Sequence, residues 1–193
     1  MQVTPAPTIR KPARLLAVLT LAFAAHSAVP ARAEELYTFT VAALGGVGGS
    51  FDADPGDDLA NSAFQLNLGM VVQSRTHVIV RAGQMGLGDE GPFGRDLFDA
   101  DLTYVTASGE YRYRHSFYES GLFLGLGGYR LTGTGNGTGQ EIDETSLGLT
   151  VGATGEFQIT RNVAFVLEFA GHYVELDDAQ LFGSGFAGIS VHF

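Results

Sequence analysis

Apolar side chains alternate with small or polar ones in eight successive segments of this chain, and this period of two is the strongest constraint on its fold. Successive side chains leave a β-strand on opposite faces, whereas a helix returns to one face every three or four residues. In the clearest segment, Leu147 and Leu149 alternate with Ser146 and Thr150. The sequence therefore predicts an all-β protein with strands at 36–51, 62–73, 77–86, 102–114, 118–132, 146–160, 162–176 and 181–193.

The connections between these segments alternate in length. Tight turns lie at 73–76, 114–117 and 160–162, and longer polar loops lie at 52–61, 88–98 and 133–144, with a shorter one at 177–180. An even number of strands with this alternation is typical of an eight-stranded antiparallel up-and-down transmembrane β-barrel. The alternative is a soluble β-sandwich whose apolar face is the core. Segment lengths near the ~9–11 residues that cross a bilayer obliquely favour the barrel.

The first part of the chain has the features of a secretory signal peptide. Basic residues precede an apolar run at 15–25, and an A-x-A cleavage site follows at Ala31 and Ala33, directly before Glu34. The alternative is an uncleaved membrane anchor, but the run is shorter than the ~20 residues that span a bilayer. We therefore expect residues 1–33 to be removed and residues 34–193 to form the barrel.

Charge and cysteine content exclude several kinds of partner and site. Cleavage removes four of the 11 Lys and Arg residues and none of the 21 Asp and Glu residues, so the mature formal charge is −14. Nucleic acids and anionic lipid headgroups are therefore poor direct partners without a bridging cation. The chain has no cysteine, which excludes disulfides and thiolate metal sites.

Six ionisable residues fall on the face opposite the apolar one, which would be the barrel interior. Buried charges persist when they are paired, so the favoured interpretation is an internal salt-bridge network, and the alternative is a gated polar path for ions or protons. Catalysis would need a nucleophile and a base within hydrogen-bond reach, and two of these residues four positions apart on one strand are separated by roughly 13 Å. The predicted network consists of Arg81, Glu110, Arg112, Glu156, Glu168 and His172.

Most acidic residues lie in the predicted long loops. The favoured interpretation is a solvated acidic rim with no cofactor, and the alternative is a set of oxygen ligands for divalent cations that bridge to lipid phosphates. These residues are Asp52, Asp54, Asp57, Asp58, Asp89, Glu90, Asp96, Asp99, Glu141, Asp143, Glu144, Asp177 and Asp178.

The last strand carries the most specific motif. The segment Gly188-Ile189-Ser190-Val191-His192-Phe193 resembles the terminal-strand signal that the outer-membrane assembly machinery recognises, with Gly188, Val191 and Phe193 on the matching positions. Over residues 34–193 the chain resembles the small eight-stranded outer-membrane barrels of the OmpA membrane-domain and OmpX type.

The resemblance implies a monomer in a Gram-negative-type outer membrane, in contact with its lipids, with extracellular loops and periplasmic termini. We expect a non-enzymatic role in envelope structure or in surface interaction through the loops. A narrow channel for small solutes is the second hypothesis, and an enzyme acting on envelope lipids is the third.

Overall fold

The computed structural model of the chain describes residues 39–51, 61–91, 95–135, 139–176 and 179–193. The described residues include no helical segment with the length and hydropathy of a membrane span. They form eight strands: β1 (Phe39–Ser50), β2 (Asn61–Gln73), β3 (Thr76–Gly91), β4 (Arg95–Arg114), β5 (Tyr118–Gly135), β6 (Glu141–Gln158), β7 (Val163–Glu175) and β8 (Ala179–His192).

The strands form one closed sheet. Each pairs antiparallel with the next along the chain, and β8 pairs with β1, which confirms the predicted eight-stranded barrel. Paired residues can be followed from Phe39 on β1 through each strand in turn, and the row returns to β1 at Gly49. The shear number of the barrel is therefore ten. The interior of an eight-stranded barrel is narrow enough for side chains to fill it.

The two ends of the barrel differ in their connections. Residues 74–75, 115–117 and 159–162 make the short connections at one end, which we call the turn end. The described chain also begins and finishes there, and the amide of Phe193 donates to the carbonyl of Phe39 at 2.9 Å. The opposite end, which we call the loop end, holds the connections that follow β1, β3, β5 and β7.

Four strands are longer than the sequence predicted. β3 continues to Gly91 and β4 begins at Arg95, while β5 continues to Gly135 and β6 begins at Glu141. The loops predicted after β3 and β5 are therefore longer than the connections in the structure. Strand pairing continues through these Gly-rich and acidic segments. They lack the alternation of apolar side chains by which a strand is recognised in the sequence, so the prediction ended the strands too early. Residues 52–60 of the loop predicted after β1 and residues 177–178 of the shorter loop predicted after β7 lie outside the described residues.

Large apolar side chains cover the outside of the barrel, as the alternation predicted. On β5, for example, Leu122 and Leu126 are more than half exposed. Towards the loop end, this apolar belt ends at a row of outward-facing polar residues that are paired across β3 to β6: Gln84, Thr103, Arg130 and Thr145. An exposed apolar band of this kind matches the hydrocarbon core of a membrane.

The hydrophobic core lies inside the barrel, mainly towards the loop end. Its members point inward from every strand except β6, and several of them are completely buried. The cluster consists of Ala42, Leu44, Ala63, Met85, Leu87, Ala100, Leu102, Tyr104, Tyr129, Leu131, Val166, Val174, Leu176, Phe182 and Phe186. We call this cluster the apolar plug, since it fills the interior next to the loop end.

Glycines allow β1 and β8 to approach closely where the barrel closes. A Cβ atom at Gly188 would lie 2.1 Å from the carbonyl oxygen of Ala43 and 2.8 Å from the Cα of Leu44. A Cβ atom at Gly46 would lie 2.0 Å from the carbonyl oxygen of Gly185. These are backbone atoms, so any side chain at either glycine forces the two strands apart.

We expect Gly188→Ala to weaken closure of the barrel, because the added methyl group collides with the β1 backbone. Overpacking of this kind costs about 1–3 kcal/mol. The free energy of unfolding in urea, measured in detergent micelles, tests this expectation, and the migration of unheated protein on SDS gels reports closure.

The matched control is Gly128→Ala on the outer face of β5, where an added Cβ has no atom within 4 Å. This variant should stay within about 0.5 kcal/mol of the wild type. Equal stability of the two alanine variants would show that the close approach at the seam is unimportant.

Candidate functional site

The barrel wall places all six ionisable residues of the predicted network in the interior. They lie on β3, β4, β6 and β7, and each is less than a tenth exposed. They point inward because they have the same strand parity as the buried core residues. Arg81, Glu110, Arg112, Glu156 and Glu168 form one connected group, which we call the charge network, whereas His172 lies apart from it.

Glu168 on β7 is the first acceptor in the charge network. Its carboxylate receives the Nε–H of Arg81 at 3.0 and 3.1 Å. The side-chain amides of Gln65 and Asn67 on β2 donate to the same carboxylate at 2.8 and 3.3 Å. The contact therefore joins β2, β3 and β7 across the barrel interior.

Glu110 on β4 links the two arginines. It accepts from Nη2 of Arg81 and from Nε of Arg112, both at 2.7 Å. The hydroxyl of Thr154 donates to it at 3.1 Å, and Arg81 also donates to Ser108. Glu110 is completely buried, so both of its oxygens depend on these donors.

Glu156 on β6 completes the network towards the last strand. It accepts from Nη1 of Arg112 at 2.7 Å, and Nε2 of His192 lies 2.6 Å from its other oxygen. Gln158 donates to that oxygen at 3.1 Å. His192 also contacts the hydroxyl of Thr40 at 3.3 Å, so its ring connects β8, β6 and β1.

The charge network is held by pairing rather than by solvent. The carboxylates of Glu110, Glu156 and Glu168 face the guanidinium groups of Arg81 and Arg112, and Nε2 of His192 lies 2.6 Å from Glu156. The guanidinium carbon of Arg81 also lies 3.8 Å from the ring centre of Phe123, a cation–π contact. Breaking a buried pair of this type by removing one partner costs about 3–5 kcal/mol.

Several members of the site were not among the predicted network residues. His192, Gln65, Asn67 and Thr154 have the strand parity of the inner face, but nothing in the sequence indicates their partners. His77 lines the same space. The position of a residue in the alternation of its strand therefore shows whether it faces inward. Which inward-facing residues lie at the same level along the barrel axis depends on the shear of the barrel.

His172 belongs to a second polar cluster, nearer the loop end. Its Nδ1 lies 3.0 Å from the hydroxyl of Tyr129, its Nε2 lies 3.1 Å from the hydroxyl of Ser184, and its ring packs on Tyr104. A serine and a histidine at this distance could form a nucleophile–base pair. Both side chains are buried, with His172 1% and Ser184 9% exposed among the described residues.

The interior leaves little free space. A cavity of about 20 Å³ lies beside the charge network, lined by residues that include Thr40, Asn67 and His77. This volume is sufficient for about one water molecule. Towards the loop end, Met85, Leu102 and Leu131 are fully buried in the plug. The described charges and plug residues therefore hold the strands of the wall together from inside.

The acidic residues of the predicted loops are only partly described. Glu141 and Asp143 are exposed at the start of β6, and Asp143 accepts two hydrogen bonds from Arg130 at 2.7 Å. Among the side chains that the structure describes, no three His, Asp or Glu residues are arranged to hold a metal ion. The divalent-cation site remains a prediction.

The three residues of the predicted assembly signal lie at the turn end. Gly188 faces the barrel interior against β1, whereas Val191 and Phe193 face outward, and Phe193 is 66% exposed. Recognition by the assembly machinery remains a prediction. The predicted cleavage site at Ala31, Ala33 and Glu34 lies outside the described residues, as does the whole predicted signal peptide.

Comparison with known proteins agrees with this architecture. A family model described as outer membrane protein beta-barrel domain matches residues 15–190. Neisserial surface protein A (NspA) is similar in structure, with a TM-score of 0.64 and 16% identity over 82% of this chain and 98% of that chain. No curated protein sequence matches this chain.

Two further solved structures share the fold. A major outer membrane protein from Thermus thermophilus has a TM-score of 0.56 and 13% identity, over 81% of this chain and 98% of that chain. The N-terminal β-barrel domain of Pseudomonas aeruginosa OprF has a TM-score of 0.51 and 14% identity, over 80% of this chain and 97% of that chain. At these identities the similarity shows the fold alone.

We expect Arg81→Met to destabilise the barrel by about 3–5 kcal/mol, since it leaves Glu168 and one oxygen of Glu110 buried without their cation. Adding Glu168→Gln to the same chain should recover part of the loss. Urea unfolding of the two single variants and the double variant in detergent micelles gives the coupling energy.

Arg130→Gln is the control, because Arg130 and Asp143 form an exposed pair with side chains 58% and 56% accessible. Exposed pairs contribute little to stability. If the Arg81 variant lost no more stability than the Arg130 variant, the charge network would not support the barrel wall.

Proposed function

Because the chain belongs to the family of outer membrane protein β-barrel domains, we propose that it is a closed, monomeric barrel that acts at the cell surface through its loop end. In this proposal the loop end faces the exterior of a Gram-negative-type cell, and the turn end faces the periplasm. The barrel assembly machinery inserts the protein, and the role is interaction or envelope structure rather than catalysis.

The main support for a surface role is a sheet that extends beyond the apolar belt. Past the row of polar residues that ends the belt, β4 and β5 stay paired as far as Leu97 and Gly135, and β5 and β6 as far as Thr134 and Glu141. Strands that continue beyond the belt hold a rigid surface clear of the lipid. Such a surface is available to partners in the surrounding water.

The extended sheet has an edge at the start of β6. Among the described residues, backbone pairing of β6 with β7 begins at Gly148, and the hydroxyl of Ser146 donates to the carbonyl of Glu175, so 141–145 pairs as a strand on the β5 side alone. An open edge can accept an extended segment of another chain through backbone hydrogen bonds. We therefore propose that extended polypeptide is the class of partner.

The interior argues against the channel hypothesis. The apolar plug blocks the loop end, and the charge network uses the carboxylates and guanidinium groups that would line a polar path. We expect the refolded wild-type barrel to show no discrete openings in a planar bilayer. Openings that disappear when the charge of Arg81 or Arg112 is reversed would contradict the closed barrel.

We expect Thr145→Lys to weaken binding of an extended chain, because a lysine on an edge strand opposes strand addition. The probe is a reduced and alkylated unfolded protein, immobilised on a sensor and presented with the barrel in nanodiscs. A several-fold loss of binding is expected.

Thr134→Lys is the matched control, since Thr134 is also exposed and outward-facing but lies on β5, which has strand neighbours on both sides. Equal loss in both variants would indicate an effect of charge alone and contradict strand addition.

The chain has no native cysteine, so single cysteines at Thr145 and Ser74 can report orientation. Only the Thr145→Cys variant should react with an impermeant maleimide on intact cells.

A further inference from the structure

Exposed arginines are concentrated at the turn end of the barrel. After residue 33 the chain has seven arginines and no lysine. Two of them belong to the charge network. Three others, Arg75, Arg114 and Arg161, are exposed and lie in or beside the three short connections. Each short connection thus brings one guanidinium group to the same rim.

Exposed carboxylates are concentrated at the other end. Among the side chains that the structure describes, the exposed ones are Glu141, Asp143 and Glu175, all near the loop end. At the turn end Glu119 is largely covered, with 19% of its side chain accessible, and it accepts from Nε of Arg114 at 2.8 Å. Among these described side chains, the exposed charge is therefore separated along the barrel axis.

Aromatic side chains mark the headgroup level at the turn end. Rings of Tyr and Phe residues favour the boundary between hydrocarbon and water. The carbonyl of Arg75 accepts from the amide of Arg112 at 2.8 Å, beside the Thr76–Tyr111 pair, which places Arg75 next to this boundary. The ring residues near this rim are Phe39, Tyr111, Tyr113, Phe117, Tyr118, Phe157 and Phe193.

We propose that the turn end binds the phosphate groups of anionic phospholipids in the leaflet that it contacts. A guanidinium group presents several N–H donors in a geometry that matches phosphate oxygens. The mature charge of −14 predicted poor contact with anionic headgroups, but among the described side chains the exposed acids lie at the loop end, the opposite end of the barrel from this rim. Screening over about 8 Å at physiological ionic strength removes most of their influence.

The test compares lipid selectivity in nanodiscs that contain phosphatidylcholine and phosphatidylglycerol. Both leaflets of a nanodisc have the same composition, so the result is independent of the orientation proposed above. Spin-labelled lipids report the fraction held at the protein surface. We expect the wild type to favour phosphatidylglycerol over phosphatidylcholine by roughly two- to fivefold at low salt.

The Arg75→Gln/Arg161→Gln double variant should lose most of this preference, and Arg130→Gln at the loop end should retain it. Migration of unheated protein on gels checks that each variant is folded. A wild type with no preference, a double variant that keeps it, or an equal loss in Arg130→Gln would overturn the proposal. Salt provides a test without substitution, because the wild-type preference must fall between about 0.1 and 1 M NaCl as the Debye length shortens.

Discussion

Closure of the sheet between β1 and β8 is the constraint on which the rest of the structure depends. Backbone amides and carbonyls in a bilayer cannot bond to water, so every strand needs a neighbour on both sides. Glycines on both strands, Gly46 and Gly188, allow the approach that completes the circle. Once the circle is complete, the register decides which side chains face lipid and which are sealed inside.

The sealed interior is divided into layers with different means of stabilisation. Near the loop end, apolar side chains such as Leu102 and Leu131 exclude water. Farther down, charges replace the apolar core, and each carboxylate there receives at least two donors. His192 brings the last strand into this layer, so the charge network also secures the closing seam. Pairing and closure therefore reinforce each other.

Strand parity made part of this arrangement predictable from the sequence. The inward direction of Glu110 and Arg112 follows from alternation alone. Their partners do not, because Arg81 and Glu168 are 87 residues apart and meet only when the shear brings β3 and β7 to the same height. The extended strands β3 to β6 were also underestimated, because their sequence beyond the apolar belt loses the alternation that marks a half-buried strand.

A plugged interior favours function at the outer surfaces, and the two ends offer different chemistry. The turn end has short connections and exposed guanidinium groups. These leave space for lipid headgroups but form little contoured surface that a protein could bind. The loop end has a sheet that extends beyond the apolar belt, and in our proposal its edge offers backbone hydrogen bonds to a polypeptide. Since the buried charges pair with one another, the exposed charges at the two rims dominate the electric field along the barrel axis. In the two proposals, contact with lipid phosphates and contact with a polypeptide are therefore separated by the length of the barrel.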